Sequence, residues 1–256
     1  MVSRFILQRT RLRFTHYVSR FTNMKPLHFI LLIFQIFAWQ IAKEFNEAEV
    51  TSESLKEQSY SNALEALINC GLCFAYSGQY KEAEETYKKI INFYPQNPAG
   101  YYYFAALYQT IMRNYRVRKF EPPFEKFIDL AIEVAEEALK NARNNAILYM
   151  YLGNARGHKG VHRINQQKFF WGFMDGLKGA SYLEKTIELA PTLYDAYYGA
   201  GIYHYWRSAK SKCFWFLPFI GDNRQKGIDE IWLSIQKGRH SEIEGKYALV
   251  SIYYNE

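Results

Sequence analysis

Residues 62–97 read NALEALINCGLCFAYSGQYKEAEETYKKIINFYPQN, and they decide the fold. Two apolar runs with helical spacing flank Ser77-Gly78-Gln79: Leu67, Cys70, Gly71 and Phe74 in the first, Ala83, Tyr87, Ile90 and Ile91 in the second. Recurrence at three and four residues puts each set on one helix face, and a glycine between them lets the chain turn back, so the pattern predicts an antiparallel helix pair. Pro95 stops the second helix, because it lacks an N–H and restricts the residue before it. Gly71 and Ala83 are small where two such helices approach closely, while Phe74 and Tyr80 fill the space between them.

Outward from this pair the chain repeats. Pro95 has a counterpart at Pro191, and joints between helices fall at Arg143 and Arg239, a step of 48 residues each time. The same step carries Tyr101 onto Tyr149 and Tyr197, Ala105 onto Gly153 and Gly201, and Ala131 onto Gly179 and Gly227. Leu139, Ile187 and Ile235 follow it too. A fixed period of this size marks a repeat architecture. Seven residues added to each helix of a hairpin would be about two turns, which returns the apolar stripe to nearly the same face. The alternative is an ordered loop at each tip, where Pro122-Pro123 and Leu217-Pro218 break the helical pattern.

Leu67, Cys70-Gly71, Phe74, Gly78, Tyr80, Ala83, Tyr87, Ile90 and Pro95 resemble the tetratricopeptide repeat (TPR), whose pattern of aromatic, small and turn residues they follow in order. The resemblance implies an all-α, TPR-like α-solenoid of antiparallel helix hairpins: one 34-residue repeat, three of about 48 residues and a final unpaired helix over residues 242–256. That last helix is apolar through Tyr247, Ala248, Leu249, Ile252 and Tyr253. Solenoid ends need a polar outer face, so it is expected to fold back as a cap, to continue into further chain, or to be covered by a partner, including another copy in an oligomer.

By the same resemblance the first helix of each hairpin lines a concave groove that takes a protein or peptide segment. The inward residues would be Tyr102, Ala106 and Gln109, then Met150, Asn154 and His158, then Asp195, Tyr198, Ile202 and Trp206. Asn154 matches the groove asparagine that grips a ligand backbone in many family members. The Lys and Arg that clamp a peptide carboxylate in one subgroup have no clear matches. These positions also pack well against a neighbouring helix, so packing competes with binding for each of them. Residues 216–231, FLPFIGDNRQKGIDEI, resemble a stretch of uncharacterised bacterial exported TPR proteins, with Asp222 as N-cap after an apolar Pro218, Phe219 and Ile220.

The composition agrees with a helical class. The chain has 256 residues, 49% hydrophobic and 22% charged, with an aromatic share of 18% and only 15 Gly and 7 Pro, which excludes disorder and argues against a turn-rich β protein. Three cysteines cannot carry a disulfide scaffold. The net charge of +7 is mostly local: Arg4, Arg9, Arg11, Arg13, Arg20 and Lys25 precede any acid, and removing them leaves 26 basic against 25 acidic residues. Nucleic acid therefore loses its main support as a partner.

Residues 1–43 read as a basic leader with an apolar segment, LHFILLIFQIFAWQIA, at 27–42. It is short for a membrane span and suits a signal or N-terminal anchor, with Met24-Lys25 as a fitting start. The expected location is exported or membrane-associated. An organelle transit peptide and a hydrophobic helix packed on the body are the alternatives. Residues 44–61 read as a polar linker or weak helix, and 62–256 as the superhelical domain.

The enlarged tips are basic. Residues 113–126, 158–178 and 206–226 together hold 14 basic against 4 acidic residues, interleaved with aromatics such as Phe120, Phe169, Phe170, Trp171 and Trp215. Tips of a solenoid share one edge, so Arg116, Arg118, Lys119, Lys159, Arg163, Lys210 and Lys212 predict a basic ridge. Such a ridge either keeps packed tips soluble or docks on an anionic membrane surface or acidic partner.

Little points to chemistry. His158 and His162 lie four apart and His204 falls in the next unit, the basis of a metal-binding or enzymatic alternative. Gly157 and Gly160 weaken that helix, and no carboxylate or thiol is fixed nearby by a motif, so neither a metal nor a cofactor is expected. Cys70 and Cys73 read as buried thiols and Cys213 as a lone tip residue. The expectation is a non-catalytic scaffold; the remaining alternative is a structural subunit of a membrane assembly.

Overall fold

The computed structural model describes residues 59–209 and 221–255. The chain separates into two compact units, Met1–Asn62 and Ala63–Glu256. The leader, most of the 44–61 segment, Lys210, Lys212, Cys213, Trp215 and the 216–220 stretch lie outside the described residues.

Among the described residues nine α-helices follow one another: α1 over 59–76, α2 Tyr80–Phe93, α3 Pro98–Tyr115, α4 Glu121–Asn141, α5 Ala146–Asn165, α6 Phe169–Leu189, α7 Asp195–Ala209, α8 Arg224–Lys237 and α9 Glu242–Asn255. They pair as α1–α2, α3–α4, α5–α6 and α7–α8, with α9 alone. The first turn falls where the sequence puts it, at Gly78, whose φ of +80° is costly for a side-chain-bearing residue. Helix α1 is already formed at residue 59, inside the segment read as linker.

The 48-residue register is visible in the backbone. Tyr94, Ala142, Ala190 and Gly238, each 48 residues apart, cap the second helices by donating an N–H to the carbonyls of Ile90, Ala138, Thr186 and Ser234. At equivalent joints the Tyr101 hydroxyl donates to the Pro95 carbonyl and the Tyr197 hydroxyl to the Pro191 carbonyl, both at 3.2 Å. Asn97 and Asn145 cap the next helices, accepting from Ala99 N–H at 3.0 Å and from Ile147 and Leu148 N–H at 3.0 and 3.2 Å.

In the second and third hairpins the enlargement lies in the second helices, whereas α7 and α8 have only 15 and 14 residues and the residues added to the fourth hairpin fall between them, mostly outside the described residues. Helices α4 and α6 have 21 residues each against 14 in α2, a gain of two turns. The Pro122-Pro123 break is the start of α4, where a missing N–H costs nothing. The first helices touch one another along the stack, α3 with α5 and α5 with α7, which makes them the inner layer. Ile68, Tyr87, Phe104, Phe124, Ile128 and Leu152 are at most 2% exposed and form the core between layers. Cys70 and Cys73 are exposed, correcting the reading of buried thiols. The face of α1 that packs on α2 is centred on Ile68 and Gly71, and it leaves 69, 70 and 73 outside.

Candidate functional site

The inner layer gathers polar and aromatic side chains from the first helices. Tyr102, Met150 and Asp195 are buried and Gln109, Asn154, His158, Tyr198, Ile202 and Trp206 half-buried. They hold each other. The Tyr102 hydroxyl lies 3.2 Å from His158 Nε2, the Gln109 amide donates to the His158 carbonyl at 3.2 Å, and His158 Nδ1 contacts Gln109 Oε1. A neutral imidazole with its proton on Nδ1 satisfies all three groups. Burial, with help from the Arg113 charge, lowers the His158 pKa to about 4. Asn154 Oδ1 lies over Gly199 of α7, against the neighbouring first helix.

Asp195 does more than line this surface. Its carboxylate accepts from the backbone N–H groups of Arg239, His240 and Ser241 at 3.1, 2.9 and 2.9 Å, and from the Ser241 hydroxyl at 2.8 Å. It thereby fixes the loop between α8 and α9 and directs α9 back across the inner face. His240 Nδ1 then lies 3.3 Å from the Tyr103 hydroxyl and its Nε2 2.9 Å from Glu65 Oε1. Arg113, at the end of α3, meets Glu244 at 3.9 Å and covers the Tyr247 ring at 4.2 Å. The last helix therefore packs on α8 and reaches α3 through Arg113, while its Leu249 and Ile252 form a cluster with Tyr205 of α7 and Ile231 of α8; Val250, Tyr253 and Tyr254 stay exposed.

Glu244 sits among phenols. Burial raises its carboxyl pKa and Arg113 counteracts that shift. Burial chiefly, and the Glu244 charge after it, holds Tyr76 and Tyr198 far above the usual phenol range. Tyr102 is raised by burial first and then by Tyr198 and Glu244. Arg113, Glu244, His240, Glu65 and Tyr103 are the residues that sequence reading misses as a group. One signal exists: Tyr103, Tyr151 and Tyr247 stand on a single 48-residue ladder.

The basic edge is less free than its charge count suggests. Arg118 pairs with Glu121 at 2.6 Å, Lys159 with Asp129 at 2.5 Å and Arg163 with buried Asp175 at 2.5 Å, whereas Arg116 and Lys119 are exposed. Lys159 and Arg163 are thus spent on contacts between helices. Phe169, Phe170 and Trp171 stand out at 59–60% exposure.

The histidines do not converge. His162 lies 3.3 Å from Glu125 and His204 2.6 Å from Glu230, each in a separate pairing between helices, and among the described residues no three His, Cys, Asp or Glu form a group suited to a metal ion. Asp222 accepts from the Arg224 N–H at 3.1 Å and pairs with its guanidinium, which lowers the carboxyl pKa to about 2, while Asn223 takes the capping position itself.

No protein-family profile and no curated protein matches the chain. Among solved structures it is similar to a MamA double mutant, 18% identical over 68% of this chain and 75% of that one, with a TM-score of 0.31. It is also similar to a thermophilic TPR protein of Thermus thermophilus, 13% identical over 73% of this chain and 99% of that one, with a TM-score of 0.36. The stacked hairpins, their inner layer of first helices and their repeating caps make residues 63–255 a TPR-like helical solenoid.

Proposed function

We propose that the chain is a non-catalytic scaffold for protein–protein interaction that presents its inner surface to a peptide segment. One observation carries this reading: half-buried Gln109, His158, Tyr198, Ile202 and Trp206 line one layer of successive first helices, backed by buried Tyr102 and Met150. Aromatic rings with polar tips give contact area at small entropic cost, which suits a binding face. A photo-crosslinking residue at Asn154 or Ile202 should give a discrete adduct with a protein partner in cells, and the same residue at exposed Glu133 of α4 should not. Adducts from Glu133 alone would overturn the groove.

Export or membrane association belongs to the same proposal and rests on the 27–42 segment. Among the described residues no helix is long and apolar enough to cross a membrane. Fractionation with N-terminal sequencing tests it: a start beyond Ala42 in an exported fraction, or retention of 27–42 in salt-washed membranes, is expected, and a cytosolic protein beginning at Met1 refutes it. A second reading, docking of the tips on an anionic membrane surface, is favoured by exposed Phe169, Phe170 and Trp171 beside Lys168. Release of the protein from membranes by salt would support that reading.

A further inference from the structure

The inner surface already has an occupant. Helix α9 opens with Glu242, and its first two turns bring Glu244 and Tyr247 to the guanidinium of Arg113, one as an ion pair at 3.9 Å and the other as a ring beneath it at 4.2 Å. Glu244 and Tyr247 are three residues apart, so they share a face of α9 and meet one arginine together. Asp195 holds the preceding loop along its length, through Arg239, His240 and Ser241, and the His240 side chain reaches from it to Tyr103 and Glu65. Beyond Tyr247 the same face runs on through Val250 and Tyr254, which are 68% and 89% exposed. The contact with the first hairpins is therefore narrow and polar, whereas Gly245, Leu249 and Ile252 bind α9 to α8 on its other side.

Narrow polar contacts of this kind exchange readily, because a partly exposed ion pair and a single cation–π contact each hold little. The chemistry they leave behind is specific: a planar cation with ring-stacking capacity, next to buried phenols. Arg113 is built to receive a carboxylate and an aromatic ring at once.

The geometry points to the first turns of α9 as a resident occupant of the inner surface, to be replaced by a helical segment of another protein that carries a carboxylate three residues before an aromatic residue. This inference rests on the inner surface being a binding face and adds what it reads. The partner competes with α9 for Arg113, so an unliganded chain is self-covered and binding uncovers it.

The probe is a synthetic peptide of residues 239–255, labelled for fluorescence anisotropy and added to the full chain. Binding to a Glu244→Gln, Tyr247→Ala variant should be roughly tenfold tighter than to the unaltered chain, the factor expected when an ion pair and a ring contact no longer compete. Adding Arg113→Ala to that variant should remove the gain, and a peptide lacking both side chains should bind neither protein. The variant keeps Leu249 and Ile252, and far-ultraviolet circular dichroism checks its helicity. Should it misfold, hydrogen exchange on the single Arg113→Ala variant decides: exchange in 239–248 should speed up while 224–237 stays protected. Equal affinity for variant and unaltered chain, no effect of Arg113→Ala, or a dimer in which α9 is exchanged between copies would each overturn the proposal. Crosslinks from Asn154 and Ile202 without peptide competition would sink this inference alone. Competition without those crosslinks would sink the groove reading and leave Arg113 as the site.

Discussion

The second and third hairpins obey one register and are held together by opposite means. In α3–α4 the positions in register with the glycines of the next hairpin are Ala105 and Ala131, both fully buried, and rings fill the interior: Phe104 lies 4.3 Å from Phe127 and 5.1 Å from Tyr108, which stacks on Phe120 at 5.3 Å. In α5–α6 the matching positions are Gly153 and Gly179, and the backbones close until a Cβ on either would stand 2.8–2.9 Å from the other's carbonyl oxygen. A second glycine contact, Gly160 with Gly172, repeats this toward the tip, and buried Asp175 ties Arg156 and Arg163 together beside it. One hairpin is held by apolar area and the other by backbone apposition and a shielded ion cluster. The common period therefore fixes where helices meet and leaves open how.

Four measurements would break or sharpen that contrast. Phe104→Ala should cost the most, about 3–5 kcal/mol in denaturant unfolding, because it removes an almost fully buried ring that touches both Phe127 and Tyr108; a loss below about 1 kcal/mol would deny that the rings hold the hairpin. The seam between the two hairpins should be acid-sensitive. The unfolded chain protonates the His158 imidazole below its ordinary value of 6.5, whereas the folded chain resists until about 4. Stability is thus fully present above pH 6.5 and falls as pH drops toward 4, by about 3 kcal/mol at most. Replacing His158 with Gln should flatten that part of the stability profile, and an unchanged profile would remove the histidine from the seam. Gly179→Ala should cost about 1–3 kcal/mol despite its better helix propensity, since the atoms it meets are backbone. The reciprocal change, Ala131→Gly, should cost only about 1 kcal/mol, near the propensity difference alone. Equal effects from these last two would mean that both hairpins approach equally closely.

The sequence makes the joints legible because proline, capping asparagine and small residues recur at fixed distance, and each of those residue types has a local reason to be there. The spacing allows longer helices or a tip loop: α4 and α6 take the first course, and the fourth hairpin keeps the same period with helices of only 15 and 14 residues. The exposed thiols of α1 are misread because cysteine ranks with small hydrophobes, while the packed face lies one position away, at Gly71. The basic edge is misjudged for a related reason. Charge counts do not show that Asp129, on another helix, and Asp175, nearly buried, have taken Lys159 and Arg163. The ring of contacts around Arg113 is invisible to periodicity altogether. It joins residues over 130 positions apart, which meet only once the hairpins between them have stacked.

That long-range contact gives the number of repeats a meaning. Because caps and faces recur every 48 residues, a whole block could be duplicated or deleted by recombination with no local cost, as tiles are added to a row. The contact of α9 with α3 has no such freedom, for it pairs fixed positions across every hairpin that lies between them. A lineage that gained a block would keep every joint intact and lose the closure, passing in one step from a self-covered molecule to an open one.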